Sequence, residues 1–365
     1  MRVAASMVLS LAMILFGAEL FTNAVEWLGR KLHLGEGAVG SVLAALGTAL
    51  PETAVPITAI AFGHGAKAAE DVGIGGILGA PFLLVTLGSA IVACSLWMFR
   101  KGGPTGYMVK LRLSAYRRDM SFFLIAYALA IAVGCFPEED LHQFTSWVLV
   151  GLYLVFIVLT FRDKSQSAMP GELHVLYLQW NQPGEPRMGA VQLQLVCALG
   201  LIVGGAHLLT GAVEQVALWW NIPPFVLSAI LIPLATELPE TLNSVVWIRQ
   251  GKDALAIRNI TGAMVFQSTL VPALGIALTK WDLHAEALLT GGLTLAAGAM
   301  LFGVFQLRGQ IVPGILMAVS MLYWVLPLQT VATRYHLLHL YWMGYAILGL
   351  LFFWFLRRGL HTNNA

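Results

Sequence analysis

The sequence predicts an all-α, polytopic membrane protein that consists of two five-helix repeats of inverted topology and one extra C-terminal helix. Three observations lead to this prediction. Of the 365 residues, 58% are hydrophobic and only 11% are charged, whereas about a quarter of the residues in soluble domains are charged. The chain contains eleven long apolar segments. Short patterns from its first half also recur in its second half at a constant distance.

Each apolar segment is long enough for a membrane-spanning helix, which needs about 17–25 residues. Glu19 lies within the first segment and has a counterpart in the repeat, which favours a retained helix over a cleaved signal peptide. A formal net charge of +2 without a dense basic tract gives no reason to expect a nucleic-acid partner. The segments lie near residues 3–27, 36–62, 72–98, 120–136, 143–161, 190–213, 222–248, 257–279, 285–306, 311–330 and 338–357.

Lysine and arginine residues are distributed unevenly between the two sides of the predicted bundle. If the segments cross the membrane alternately, 17 of the 21 residues lie on one side and 4 on the other. Cytoplasmic loops attract lysine and arginine. The sequence therefore predicts an integral protein of the plasma (inner) membrane, with its N-terminus outside and its C-terminus in the cytoplasm.

The repeat is visible as GAELFTNAVE from Gly17 and GAHLLTGAVE from Gly205, in which seven of ten positions are identical at an offset of 188 residues. Because five predicted helices separate the copies, the second copy must be inverted in the membrane, and an ion site is expected near the midplane between them. The predicted units are a first repeat at 1–161, a cytoplasmic linker at 162–189, a second repeat at 190–330, and an extra helix with a tail at 331–365.

The stretches LGTALPET and LATELPET are related by the same offset, and each places a glutamate, Glu52 or Glu240, directly after a proline. A carboxylate at membrane depth is costly and therefore indicates a functional site. A proline cannot donate to the carbonyl four residues earlier, so Gly47 and Ala235 should lose their helical partners. A helix broken in this way can bind a cation. The alternative is a simple proline kink whose carboxylate is protonated or paired.

Thr48 and Thr236 lie one helical turn before the two glutamates, so their hydroxyl groups can face the same cavity. Hydroxyl, carbonyl and carboxylate oxygens are hard ligands, which suit calcium or sodium better than zinc or copper. Two carboxylates held close together also repel each other, which favours protonation of one of them in an empty site. A proton could therefore compete with the metal.

At these residues the sequence resembles the cation/calcium exchanger superfamily of sodium/calcium antiporters, whose core pattern is G-[TS]-[SA]-x-P-E. The cores are GTALPE and ATELPE in this chain, and the resemblance covers about residues 3–98 and 190–279. It implies that Glu52 and Glu240 are calcium-binding glutamates and that Thr48 and Thr236 contribute oxygen ligands. It also implies a transporter that is not an enzyme and that moves a cation without a cofactor.

The chain departs from the family pattern in the block that follows each core, which in the family supplies serine and amide or carboxylate oxygens. The first block, GAPFLL at 79–84, contains no such oxygen, whereas the second, QSTLVP, keeps Ser268 and adds Gln267. Glu237 adds a third carboxylate to the second core. These changes favour exchange between a divalent cation and protons, although sodium could still bind through carbonyl groups.

The predicted function is therefore secondary active antiport of calcium or a similar divalent cation, coupled to sodium or protons, with inorganic cations and the lipid bilayer as partners. Two other classes stay open: a non-transporting sensor or scaffold with the exchanger fold, and a membrane enzyme. Glu19 and His207 occupy equivalent positions and could form a proton-relaying pair, or each could bond within its own half. Asn243 could be a site ligand or a helix-packing amide.

Overall fold

The computed structural model describes residues 2–31, 44–63, 67–99, 109–110, 113–162, 175–179, 185–334 and 338–361. Most of these residues are helical, which confirms the predicted all-α class. The physical reason is that lipid contains no water to bond with the backbone, so the N–H and C=O groups of a buried segment have to bond to each other, as they do in a helix.

The described ranges contain fourteen α-helices. Those of the first half are α1 (Arg2–Lys31), α2 (Ala44–Phe62), α3 (Lys67–Leu83), α4 (Ser89–Phe99), α5 (Leu113–Val133) and α6 (Glu139–Arg162). The remaining helices are α7 (Met188–Trp220), α8 (Pro224–Thr236), α9 (Leu238–Arg249), α10 (Asp253–Leu278), α11 (Ala285–Arg308), α12 (Pro313–Ser320), α13 (Val325–Arg334) and α14 (Leu338–His361).

Within the described ranges, each of the eleven predicted segments overlaps one of these helices or two consecutive ones, and residues 36–43 of the second segment lie outside those ranges. Among the described residues, seven helical stretches are long and apolar enough to cross a membrane, and the bent pair α8 and α9 makes an eighth. The number of eleven spans therefore stays a prediction. The seven stretches are Val3–Lys31, Lys67–Phe99, Glu139–Thr160, Met188–Trp220, Asp253–Leu278, Ala285–Arg308 and Pro313–Arg334.

Helices α3 and α4 form one continuous stretch through a π-helical turn, Leu84–Gly88. In this turn the Thr86 hydroxyl donates to the Phe82 carbonyl, and the Ser89 hydroxyl donates to the Val85 carbonyl at 2.7 Å. The two hydroxyl groups thus provide donors where the regular α-helical ladder is interrupted. No sequence pattern indicated this turn.

A two-residue antiparallel ribbon is the second feature that the sequence did not predict. Strand β1 (Val109–Lys110) pairs with β2 (Gln310–Ile311). The ribbon links residues 109–110, which lie between α4 and α5, to the loop between α11 and α12.

Helices α1 and α7 pack against each other through a reciprocal contact. A Cβ atom added at Gly17 would lie 2.8 Å from Cγ1 of Ile202, and one added at Gly205 would lie 2.9 Å from Cγ1 of Ile14. Ile14 and Ile202 are themselves 188 residues apart. A contact in which each partner repeats the other is the signature of a two-fold axis, so it supports the predicted inverted repeat.

Helix α3 lies at the centre of the bundle, and every residue from Val72 to Leu83 is buried. It contacts α2, α8, α10 and α11. A Cβ atom added at Gly79 would lie only 2.3 Å from the carbonyl oxygen of Ala229 on α8. The close approach of α3 to α8 therefore requires glycine at this position.

Candidate functional site

The second core lies at a break between two helices. Helix α8 ends at Thr236 and α9 begins at Leu238, with a bend of 41° between the parts 224–236 and 241–249. Pro239 has no N–H to donate to the Ala235 carbonyl. Glu237 bridges the break, because its N–H donates to the Pro233 carbonyl at 2.8 Å and its carbonyl accepts the Thr241 N–H at 3.0 Å. The helix is thus bent at the second core, but both bonds of Glu237 span four residues as in an α-helix, so the bend fits the predicted break and also its alternative, a proline kink.

The first core corrects the sequence interpretation, because α2 continues through Pro51 and Pro56. Packing explains the difference. Helix α2 contacts both α3 and α7, and a Cβ atom added at Gly76 of α3 would lie 2.9 Å from Cγ of Pro56. Tertiary contacts of this kind can override the low helix propensity of proline. Pro51 still cannot donate to the carbonyl of Gly47, although the helix is not broken.

The clearest polar contact of the site joins Glu237 to α10. Nε2 of Gln267 donates to Oε1 of Glu237 at 2.6 Å, and the two residues are 2% and 0% exposed. Because the amide nitrogen of Gln267 makes this bond, its amide oxygen Oε1 points away from Glu237. That oxygen is buried and has no hydrogen-bond partner among the described residues. The predicted residues Glu237 and Gln267, thirty positions apart, are therefore in direct contact.

Two predicted hydroxyl ligands are buried next to these residues in the chain: Thr236 is the last residue of α8, and Ser268 lies on α10. The Thr236 hydroxyl donates to the Ile232 carbonyl at 3.1 Å, and the Ser268 hydroxyl donates to the Val265 carbonyl at 3.0 Å. A hydroxyl that donates its hydrogen to its own helix keeps its lone pairs available to a cation. Thr236 and Ser268 are thus suited to the predicted role.

Glu52 of the first core is also buried, with 3% of its surface exposed. Gly47 and Thr48 lie in α2 and Glu240 lies in α9, but the side chains of Thr48 and Glu240 fall outside the described part of the chain. In that part, no group of three or more His, Cys, Asp or Glu side chains is placed to hold a metal. The meeting of Glu52 and Glu240 stays a prediction.

Glu19 and His207 have different partners in the described part of the chain, and neither partner lies in the repeat that carries the residue, so bonding within each half is not what the structure shows and the proton-relaying pair stays a prediction. Oε1 of Glu19 accepts a hydrogen bond from the Tyr177 hydroxyl at 2.8 Å. The His207 ring instead meets the edge of Phe62, with the ring centroids 6.2 Å apart. Tyr177 belongs to the predicted cytoplasmic linker at 162–189.

Asp119 is a positioning residue that the sequence analysis missed. It is 3% exposed, accepts from the Arg118 guanidinium at 3.0 Å and accepts from the Thr261 hydroxyl at 3.1 Å. The contact fixes α5 to α10, the helix that carries Gln267 and Ser268. An acidic residue next to an apolar segment was the available signal.

The family model described as "Sodium/calcium exchanger protein" matches residues 3–162 and 191–358. The chain belongs to the sodium/calcium exchanger family. It is therefore an integral membrane protein and a cation antiporter rather than an enzyme. The cation is cargo in this family, and no cofactor is involved.

The relatives found by sequence are distant in identity, and two of the three described here align with most of this chain. The putative antiporter CaxA of Alkalimonas amylolytica is 22% identical over 298 residues, which are 82% of this chain and 88% of that protein. The inner membrane protein YrbG of Escherichia coli (strain K12) is 22% identical over 343 residues, which are 89% of this chain and 98% of that protein. Sodium/potassium/calcium exchanger 4 of Mus musculus matches 41% of this chain and 22% of its own length, at 27% identity.

Two solved structures share the fold of this family member. The crystal structure of the H+/Ca2+ exchanger CAX superposes with a TM-score of 0.69 and 20% identity, covering 99% of this chain and 89% of the other. The sodium-calcium exchanger NCX_Mj superposes with a TM-score of 0.53 and 17% identity, covering 89% of this chain and 97% of the other. At these identities the likeness concerns the fold.

Proposed function

We propose that this exchanger moves calcium, or a similar divalent cation, in exchange for protons by alternating access. The observation that carries the proposal is the buried contact between Glu237 and Gln267 at the break between α8 and α9. It places a carboxylate, and an amide oxygen that has no hydrogen-bond partner in the described part of the chain, beside a 41° bend in the backbone. The names of the relatives include an antiporter, an H+/Ca2+ exchanger and a sodium-calcium exchanger, which supports a cation of this class.

The proposed ligands are oxygen atoms of both cores and of the block on α10. Calcium takes six to eight oxygen ligands, roughly, and favours sites with several carboxylates. Glu237 brings the number of candidate carboxylates to three, counting Glu52 and Glu240. The ligand set consists of side-chain oxygens of Glu52, Glu240, Glu237, Thr48, Thr236, Ser268 and Gln267, together with the carbonyl groups of Gly47 and Ala235.

Protons are the proposed counter-ion because this chain lacks side-chain oxygens at positions that contribute to sodium sites in the family pattern. Ala80 and Leu84 are buried and have no polar side-chain atom, and Pro272 interrupts the corresponding block on α10. In contrast, Glu237 lies three residues from Glu240. Neighbouring carboxylates titrate as a coupled group, which makes proton binding to the site easier.

Transport into proteoliposomes tests the proposal. Uptake of radioactive calcium is measured under a pH gradient and, separately, under a sodium gradient. We expect the pH gradient to drive uptake and calcium flux to fall as the pH is lowered. Glu237→Ala should weaken that pH dependence, whereas Glu286→Gln, a change at a half-exposed residue outside the proposed site, should leave it unchanged. A flux that requires sodium and ignores a large pH gradient would contradict proton coupling.

We also propose the inner membrane as the location, with the N-terminus outside and the C-terminus in the cytoplasm. The distribution of lysine and arginine supports this orientation, since 17 of 21 lie on the side assigned to the cytoplasm. The relative YrbG is named as an inner membrane protein, which supports the location.

A further inference from the structure

Arginine residues from three helices come together at one corner of the bundle, where α5 begins and α6 ends. Arg117 and Arg118 lie in the second turn of α5, Arg162 is the last residue of α6, and Arg258 lies in the second turn of α10. These helices are far apart in the chain, so the grouping is a product of the fold.

Arg118 connects α5 to the end of α6. Its guanidinium lies over the ring of Phe156, 5.5 Å from the centroid, and its Nη1 donates to the Leu159 carbonyl at 3.5 Å. That carbonyl belongs to the last turn of α6, where the carbonyl groups have no donor within the helix. Arg162 follows Leu159 by one helical turn, so it lies at the same corner as Arg118.

Asp119 connects the corner to α10. Its Oδ1 accepts from Arg118 at 3.0 Å, and its Oδ2 accepts from the Thr261 hydroxyl at 3.1 Å. Arg258 lies one helical turn before Thr261, close enough to interact electrostatically with Asp119. The Arg118–Asp119 pair is therefore the centre around which the other three arginines are placed.

The corner carries an excess of positive charge. Asp119 forms an ion pair with Arg118, and a second buried carboxylate, Asp253, lies at the start of α10, five residues before Arg258. Four arginines against these two carboxylates leave two positive charges. In the described part of the chain, no carboxylate lies within ion-pairing distance of the other three arginines. An anion would find uncompensated guanidinium groups here.

An exposed apolar surface begins directly at these arginines. Ile125 lies two turns after Arg118 on the same face of α5, and it is 56% exposed. On α6, Val158 and Val155 lie one and two turns before Arg162, and they are 49% and 51% exposed. Helix α6 is long and apolar enough to cross a membrane, so this surface faces the acyl chains of the lipid.

A phospholipid has the same two-part chemistry, with a phosphate at the membrane surface and acyl chains below it. Guanidinium groups bind phosphate through paired hydrogen bonds, and basic pockets between transmembrane helices bind anionic headgroups. We propose that Arg117, Arg162 and Arg258, arranged around the Arg118–Asp119 pair, bind the headgroup of an anionic phospholipid. In the proposed orientation this lipid belongs to the cytoplasmic leaflet. The site is separate from the candidate cation ligands, and its occupancy does not depend on antiport.

Native mass spectrometry of the purified protein in detergent tests the site. Dioleoyl phosphatidylglycerol and dioleoyl phosphatidylcholine are added separately, because they share their acyl chains and differ in net charge. We expect the wild-type protein to bind phosphatidylglycerol more tightly. Arg117→Gln combined with Arg162→Gln should weaken that binding by about twenty-fivefold, roughly fivefold for each arginine near the headgroup, and should leave phosphatidylcholine binding unchanged.

The matched control is Arg357→Gln combined with Arg358→Gln. It removes the same charge from two exposed residues near the end of α14 and should leave phosphatidylglycerol binding within about twofold of the wild type, since less than one basic residue's contribution is lost. Thermal unfolding in lipid-free detergent checks that both double variants are folded. If the first were not, Arg258→Gln alone should weaken phosphatidylglycerol binding by about fivefold.

Equal binding of the two lipids by the wild-type protein would overturn the proposal. An equal loss of phosphatidylglycerol binding in both double variants would also overturn it, because total charge rather than the corner would then decide. Displacement of phosphatidylglycerol by inorganic phosphate at equal concentration would show a site for small anions instead of lipid. None of these measurements involves calcium or a proton gradient, so failure of the proposed antiport would leave their outcome unaffected.

Discussion

At the residue scale, Glu237 changes the interpretation of the second core. The sequence presents it as one extra carboxylate, whereas the structure places it at the break itself, bonded to an amide from another helix. A buried charge is tolerable when hydrogen bonds or a counter-charge compensate it. The Gln267 amide provides such a bond and thereby couples α10 to the break. The candidate ligands therefore depend on the relative position of three helices, α8, α9 and α10.

The first prediction concerns the two repeated glutamates. Glu52→Gln and Glu240→Gln keep the side-chain shape and remove the negative charge. We expect each to weaken calcium binding by more than about a hundredfold, equivalent to about 2.8 kcal/mol, because calcium prefers charged oxygen ligands. Equilibrium binding of radioactive calcium to purified protein measures the effect.

Size-exclusion chromatography of both variants in detergent controls for loss of folding. If either variant bound calcium with wild-type affinity, the corresponding glutamate would not be a ligand.

The second prediction concerns Gln267. Gln267→Leu preserves the approximate volume and removes the donor to Glu237, and a hydrogen bond to a charged group is worth about 1.5–3 kcal/mol. We expect calcium affinity to fall by about tenfold to a hundredfold. Thr269→Val is the matched control, because the Thr269 hydroxyl donates to its own helix at the Val265 carbonyl. Equal affinities of the two variants would rule out a special role for Gln267.

The burial of the candidate residues was predictable from the sequence, whereas their role as ligands stays a prediction. Glu237, Gln267, Thr236 and Ser268 could be selected from the sequence because polar residues are rare in apolar segments. Their partners could not, because the contact from Gln267 to Glu237 spans thirty positions and depends on the helix packing. The hydrogen bond between Gln194 and Asn23, at 2.9 Å, was not predicted for the same reason, since nothing in either apolar segment points to the other.

At the element scale, the close packing of α3 on α8 leads to a third prediction. Gly79→Ala would place a methyl group 2.3 Å from the Ala229 carbonyl oxygen and 2.7 Å from its Cα atom. These are backbone atoms that cannot rotate away, so the helices must separate. We expect a loss of about 1–3 kcal/mol in the free energy of unfolding, as is typical of overpacking.

Thermal unfolding in detergent measures this loss. Gly262→Ala on α10 is the matched control, because a Cβ atom there meets no described atom within 4 Å. Alanine is the better helix former by about 1 kcal/mol, so this control should be neutral or stabilising. A Gly79→Ala protein as stable as the control would contradict the packing that we describe.

The positions of the helices were largely predictable from the sequence, whereas the bends and connections between them were not. Long apolar segments specify helices because lipid leaves the backbone few alternatives. The two proline-containing cores look alike in the sequence, yet α2 is continuous and the second core is bent at Glu237. Proline removes the same bond in each, and the neighbouring helices decide whether the chain bends. The ribbon of β1 and β2 has only two residues per strand, too few for a recognisable pattern.

At the scale of the whole molecule, the fourth prediction concerns orientation. In a protein that lacks Cys94, Cys135 and Cys197, one cysteine at a time is introduced. It replaces Trp219 or Lys280 on the predicted outer side, or Val175 or Glu185 on the predicted inner side. An impermeant maleimide added to intact cells should label the first two and spare the others, which should react once the membrane is permeabilised. The reason is the bias of lysine and arginine toward the cytoplasm. The opposite pattern would invert the topology.

The general architecture was predictable because a duplication leaves a constant offset. Gly17 and Gly205 showed that offset in the sequence, and the same residues make the reciprocal contact of α1 with α7 in the structure. The departure from symmetry was less accessible. The linker contains Pro170, Pro183 and Pro186, which indicate a loop, and the docking of residues 175–179 depends on amides from two distant helices, Asn23 of α1 and Gln194 of α7.

The π-helical turn in the first half has a consequence for any comparison of the two halves. A π-helical turn accommodates one more residue than an α-helical turn, and one residue corresponds to a rotation of about 100° around the helix axis. The corresponding stretch of α10 runs from Asp253 to Leu278 as regular α-helix. An ungapped alignment therefore pairs residues after Gly88 with residues that point in a different direction around the axis. A one-residue gap at 84–88 restores the pairing, and deletion of one residue there would rotate all of α4 against its neighbours.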